Sequence, residues 1–110
     1  MRRQITRAPQ ARREIMQVAD YFAEKSGYNI SEKFLRAVDK MFWQIADMPG
    51  IGTLRDYDNP KFAGMRMLPI QKFSKYLIFY RTTETTIEIL RVLHGARDLQ
   101  AIFGPDEGDE

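Results

Sequence analysis

The sequence predicts an α+β domain: a helical hairpin packed on a small, mainly antiparallel sheet, in the order β-α-α-β-β-β with a short C-terminal helix. Three observations carry this. Apolar residues between positions 11 and 48 recur every three or four residues, the period of a helix face. From position 65 the pattern changes to short apolar and aromatic runs divided by turn residues, as strands require. The chain has 110 residues, enough for one core but not two, since domains most often run to roughly 100–150 residues. A single domain is expected over 1–103, with 104–110 as an acidic flexible tail.

Gln4-Ile5-Thr6, after two arginines, reads as a short first strand. Pro9 suits a first helical turn, where its missing N–H is harmless. Ala11, Ile15, Val18, Ala19 and Phe22 then share one helix face, while Arg12, Arg13, Gln17, Asp20 and Glu24 mostly occupy the other. Gly27 stops this helix, because it accepts positive φ without a Cβ penalty. Asn29 is expected to cap the second helix, with Glu32 completing a capping-box-like pair. Ile30, Phe34, Val38, Met41, Ile45 and Met48 form its stripe, widened by Leu35 and Phe42, and Pro49-Gly50 ends it. Helices joined by so short a turn must run antiparallel.

Residues 50–64 look irregular, punctuated by Gly50, Gly52, Asp56, Asp58, Asn59, Pro60 and Gly64. Residues 65–71 read as a strand in which Pro69 marks an edge or a bulge. The run Tyr76-Leu77-Ile78-Phe79-Tyr80 is expected of a strand covered on both faces. After a turn at Thr82-Thr83-Glu84-Thr85, residues 87–94 form the next strand, also central, and Gly95 closes it. Residues 96–103 supply one or two helical turns. The last three strands pair as a meander, and the hairpin buries its stripe on one sheet face.

Composition narrows the function. Hydrophobic residues make up 44% and charged residues 29%, which excludes wholesale disorder and a collagen-like fibre. The longest apolar run is the five residues 76–80, too short to span a membrane. Met1-Arg2-Arg3-Gln4 leads into no apolar stretch, so no secretory signal is expected and the cytoplasm is the expected location. Without cysteine there is no disulfide, thiol nucleophile or Cys-ligated zinc. One histidine without a carboxylate cluster leaves no metal site to expect, and no cofactor is expected either. No Gly-x-Ser-x-Gly elbow occurs, and Gly50-Ile51-Gly52 follows a helix instead of opening one, unlike a phosphate loop.

Net charge is +2, but the last seven residues hold Asp106, Glu107, Asp109 and Glu110 and no base. The 15 acids less these four leave 17 bases against 11 acids, a body of +6. Such a body fits a polyanionic partner or plain solubility. On the sheet, Arg66, Tyr80, Arg81, Arg91, His94, Arg97 and Asp98 form a basic and aromatic set. Strand arginines can clamp a phosphate bidentately, and a histidine can exchange protons near neutrality. Together they could support RNA cleavage. The structural alternative has His94 as a hydrogen-bonded strand-end residue and Arg91 paired to Glu88 or Asp98. Arg97-Asp98 would then be a local cap and ion pair, and Tyr76 and Tyr80 core aromatics. In an unbroken strand Arg91 and His94 point to opposite faces, so one site needs a bend before Gly95.

The element order is joined by local text: Ala8-Pro9-x-Ala11 with Glu14-Ile15, Asp20-Tyr21-Phe22, Pro49-Gly50-x-Gly52, Gly64-x-Arg66 and Tyr80-Arg81. It ends in Ile89-Leu90-Arg91-Val92-Leu93-His94-Gly95-Ala96-Arg97-Asp98-Leu99. Over 4–103 the chain resembles the ParE/RelE superfamily of toxins from type II toxin–antitoxin modules, in its ParE branch of plasmid-stabilisation proteins. The resemblance implies a ParD-like antitoxin that folds onto the toxin, and contact with DNA only indirectly, through that antitoxin. It implies one of two targets. ParE-type toxins poison DNA gyrase without covalent chemistry of their own, whereas RelE-type toxins cut mRNA on the ribosome. Under the ribonuclease alternative Arg66, Arg91 and His94 are the catalytic set. Two departures favour gyrase: residues 50–64 offer only Arg55 and Lys61, and no tyrosine follows Leu99. No catalytic residue is then expected, the run 91–98 is a structural strand end, and the binding candidates are Arg66, Tyr80, Arg97, Leu99, Ile102 and Phe103.

Overall fold

The computed structural model of the protein describes residues 3–105. Strand β1 (Gln4–Arg7) leads into helices α1 (Pro9–Ser26) and α2 (Tyr28–Asp47). A two-residue strand β2 (Thr53–Leu54) and a 3₁₀ turn at Pro60–Phe62 follow. Strands β3 (Arg66–Ile70), β4 (Phe73–Thr82) and β5 (Thr86–His94) form the predicted meander, and helix α3 (Leu99–Phe103) ends it. The sheet order is β1-β5-β4-β3-β2, antiparallel throughout except that β1 runs parallel to β5. The fold class is therefore the expected α+β.

Gly27 alone links the helices, at φ 97°, a value that side chains with a Cβ rarely adopt. The structure corrects the expected cap at Asn29. Helix α2 begins at Tyr28, and no side chain caps it. A one-residue linker leaves no room for a separate cap, so Gly27 ends one helix and starts the next. Ser31 fixes the hairpin instead, its hydroxyl donating to the Ala19 carbonyl at 2.7 Å.

Alternation along β4 divides the interior in two. Tyr76, Ile78 and Tyr80 face the helices, beside Ile15, Ala19, Phe34, Val38 and Ile45. Leu77 and Phe79 face the other way, into a smaller core with Tyr57, Met65, Leu93 and Phe103. Each large aliphatic or aromatic side chain so buried contributes about 1.5–3 kcal/mol. This explains the unbroken apolar run at 76–80: helices cover one face, α3 and the loop 55–65 the other. Pro69 does sit at an irregularity, where the β3–β4 register shifts between Pro69 and Ile70. A second register shift lies between Phe79 and Tyr80 on β4, opposite Leu90 on β5, which pairs with neither neighbour of the break. That bulge organises the candidate site.

Candidate functional site

Two sequence-predicted residues converge on the turn that ends α2. The Tyr80 hydroxyl donates to the Pro49 carbonyl at 2.8 Å and accepts from the Gly52 N–H at 2.8 Å. Arg66 lies beside Tyr80 in register, and its Nη1 donates to the carbonyls of Gly52 at 2.7 Å and Gly50 at 3.3 Å. Position 52 must be glycine, because a Cβ there would stand 2.7 Å from the Tyr80 hydroxyl oxygen and 3.0 Å from the Met67 carbonyl. Pro49-Gly50-x-Gly52 is thus the receptor for a tyrosine and an arginine that hold it down.

Burial pushes the Tyr80 phenol above its ordinary value of 10.0, against the opposing pull of the Gly52 N–H and the Arg66 charge. Burial likewise raises Tyr76, with Tyr21 adding to it. The sign follows from linkage: a raised folded-state value means that this stability is complete below pH 10 and is lost as pH climbs through the folded value. Tyr80→Phe should remove two hydrogen bonds and leave the Gly52 N–H buried without its partner, costing about 1–3 kcal/mol. Urea unfolding should report a lower midpoint at unchanged slope. Between neutrality and strongly alkaline pH the wild type should lose more stability than the variant, which lacks one of the two perturbed phenols.

Arg91 is anchored elsewhere. Its Nε and Nη2 donate to Glu14 Oε2 at 2.8 and 2.6 Å. The other carboxylate oxygen, Oε1, accepts the backbone N–H of Val92 at 2.9 Å. Strand β1 pairs with β5 only as far as Ile89, and the Ala8 N–H bonds the Ile89 carbonyl at 2.9 Å. Beyond that point the bulged backbone of β5 receives a carboxylate from α1 in place of a neighbouring strand. The Glu14 side chain is 7% exposed, and burial of such a charge is tolerated only with a full set of partners. The expected partners of Arg91 were Glu88 or Asp98. Glu88 instead pairs across the strands with Arg81 at 3.2 Å, and Asp98 caps α3 by accepting from Ala101 N–H at 3.1 Å.

His94 ends β5 opposite Tyr76, its ring edge-on to that phenol at 5.1 Å between centroids. Its Nδ1 accepts the Ala96 N–H at 3.0 Å, closing the turn after the strand. Arg66, Arg91 and His94 are therefore each bound to a different element: the turn after α2, the side of α1, and the turn after β5. On the second face, Phe103 is fully buried against Tyr57, Phe62 and Phe79 at 5.3, 5.1 and 4.6 Å between centroids. Asn59 Nδ2 donates to the Phe103 and Gly104 carbonyls at 3.2 and 2.9 Å, latching α3 to the loop. Leu99 and Ile102 are half-buried on the same core, while Arg97 is exposed. The segment 99–103, apolar enough for the body or for a partner, docks on the body. The acids Asp106, Glu107, Asp109 and Glu110 of the expected tail lie outside the described residues.

Sequence reasoning missed Glu14 as the partner of Arg91, although a signal was present. Ala11, Glu14 and Ile15 stand at i, i+3 and i+4, which places Glu14 on the buried stripe of α1. Among the described residues no group of three or more histidines, cysteines or carboxylates could hold a metal ion. None of the described helices is long and apolar enough to cross a membrane.

The fold is one already seen in a toxin–antitoxin assembly: a solved structure titled "Chromosomal ParDE TA system from P. aeruginosa" superposes with a TM-score of 0.69. That similarity is at 16% identity, over 84% of this chain and 95% of the other, and so concerns the fold. Residues 5–99 match the family described as the ParE toxin of type II toxin–antitoxin system, parDE, and the chain belongs to that family. No curated protein sequence matches it.

Proposed function

We propose that this protein is a toxin that stops DNA gyrase by binding to it, and that a ParD-like antitoxin neutralises it. Membership of the ParE family over residues 5–99 supports the type II module and the antitoxin. The observation that carries the choice of gyrase is the engagement of the nuclease candidates. Arg91 Nε and Nη2 are held by Glu14, Arg66 Nη1 by the Gly50 and Gly52 carbonyls, and His94 Nδ1 by Ala96. A phosphodiester-cleaving site needs these groups convergent on one phosphate. Protein docking needs only a surface. Of the binding candidates, Tyr80 and Phe103 are fully buried and Arg66 is tied to its turn, so they shape the body. Exposed Arg97, on the rim formed by Leu99 and Ile102, is the residue we place against the target.

The test is gyrase supercoiling of relaxed plasmid with the purified chain. Inhibition at micromolar concentration, relieved by the cognate antitoxin, is the expected result. Arg97→Glu should weaken inhibition about tenfold, equivalent to roughly 1.4 kcal/mol, with no change in thermal midpoint. Untouched supercoiling, together with cuts at the ribosomal A site on translated mRNA, would replace this reading with the ribonuclease one. Unimpaired growth on induction without antitoxin would mean that toxicity has been lost.

A further inference from the structure

Helix α2 and the β3–β4 turn enclose a basic groove that none of the functional candidates touches. Lys33, Arg36 and Lys40 lie at spacings of three and four on one face of α2, a row about 10 Å long at 1.5 Å per residue. Lys72 closes the groove from the turn between β3 and β4, held at φ 72° in a two-residue connection. The turn is seated against α2 by Phe73, edge-on to Phe34 at 5.4 Å between centroids. The open groove has a volume of about 350 Å³, with Ala37 and Phe73 as its apolar lining. None of the described acids lines the groove; among its four cations Arg36 has a carboxylate nearby, Glu32 at 3.9 Å, with both side chains mostly exposed. Lys33, Lys40 and Lys72 make no ion pair among the described residues. Their mutual repulsion is a cost that a polyanion would remove.

We propose that this groove grips the phosphate backbone of duplex DNA without reading its sequence. Lysines supply point charges without the planar fork that selects carboxylates or guanine edges, which suits backbone contact. An acidic peptide would need an apolar anchor, and none of the exposed large apolar side chains (Met16, Tyr21, Tyr28, Trp43, Met48, Ile51, Leu54) lines the groove. A single strand would need a free aromatic platform, yet Phe73 is packed into the ring cluster of Phe22 and Phe34. A row of about 10 Å spans roughly three nucleotide steps at 3.4 Å of rise per strand. The groove lies on the hairpin side of the sheet and α3 on the other, so DNA and a protein target can be held at once. The proposal adds a direct contact to the expectation that DNA is met only through the antitoxin. The choice of DNA over double-stranded RNA rests on the gyrase reading; the charge argument does not.

The test is fluorescence anisotropy of a short fluorescein-labelled DNA duplex titrated with the full chain, without gyrase or antitoxin, over a range of salt. Four phosphate contacts predict a log–log salt slope of about −3.6, and dissociation constants of roughly 10⁻⁴–10⁻⁶ M are the range for sequence-independent binding. Lys33→Gln/Lys40→Gln/Lys72→Gln should lose about 2.7 of that slope, at 0.9 per contact, while circular dichroism and thermal midpoint stay as in the wild type. Arg55→Gln, on the loop that covers the opposite face of the sheet, should lose none beyond the general charge effect. A triple variant that keeps the wild-type slope overturns the proposal. So does displacement of the duplex by poly-glutamate at equal charge, or tighter binding of a double-stranded RNA of the same length. Supercoiling is measured separately, so a failure here leaves the gyrase reading standing, and the reverse.

Discussion

Glu14→Ala should cost about 3–5 kcal/mol of folding stability, the range for breaking a buried ion pair from one side. Arg91 would be left half-buried without a counter-charge, and Val92 would lose the acceptor that completes the bulge. At roughly 4–8 °C per kcal/mol for a domain near this size, the thermal midpoint falls by roughly 12 °C or more. Glu14→Gln retains an acceptor for the Val92 N–H but removes the charge, so it should fall between alanine and wild type. Arg91→Met combined with Glu14→Ala should recover part of the loss, because the orphaned cation is gone and the coupling energy of the cycle is then measurable. If Glu14→Ala unfolds within about 1 kcal/mol of the wild type, the carboxylate does not hold the bulge and Arg91 is free for another role.

Phe103→Ala comes second in expected size. Removing a fully buried phenylalanine typically costs about 3–5 kcal/mol, since the cavity adds to the lost transfer energy. Three rings surround the site, and two of them, Tyr57 and Phe62, come from the loop that α3 covers. A five-residue helix has no stability of its own, so losing the ring should release α3 and expose the loop 55–65 to limited proteolysis. Cleavage there in the variant, with an intact wild type under the same conditions, is the expected pattern. Were Phe103 an anchor for the target instead, alanine would abolish gyrase inhibition while leaving the melting curve where it was.

These two residues also show what the sequence makes legible. The stripe from Ile30 to Met48 and the run 76–80 announce helix and central strand because their periodicity follows from burial on one face or on both. Phe103 could be recognised as apolar and near a strand end, but whether it met its own chain or another depended on Asn59 and Tyr57, more than forty residues upstream. Arg91 posed the same difficulty. Its partner lies 77 residues away on α1, and the geometry that unites them is a bulge at Leu90, which has no fixed residue signature. Local caps are predictable only when the linker is long enough to use them, and Gly27 left no such length. The clamp on Pro49-Gly50-x-Gly52 was written as spaced glycines, while its reason, the Tyr80 hydroxyl lodged where a methyl group would go, is a long-range contact. Charge at Lys33, Arg36 and Lys40 passes for ordinary solvated helix surface until Lys72 is seen across from it.

The parallel pairing of β1 with β5 sets a timetable for synthesis. Gln4 pairs with Thr86 and Ile5 with Ile87, so the first strand waits on some eighty further residues before it has a neighbour. At about 5–20 residues per second on the ribosome, that delay lasts roughly 4–16 s. Throughout it the nascent chain can make its hairpin but cannot close its sheet, seat Glu14 or bury Phe103. A polypeptide released by a nonsense codon or a broken message before residues 86–89 are made would therefore lack the partner of its first strand, and with it the assembled body.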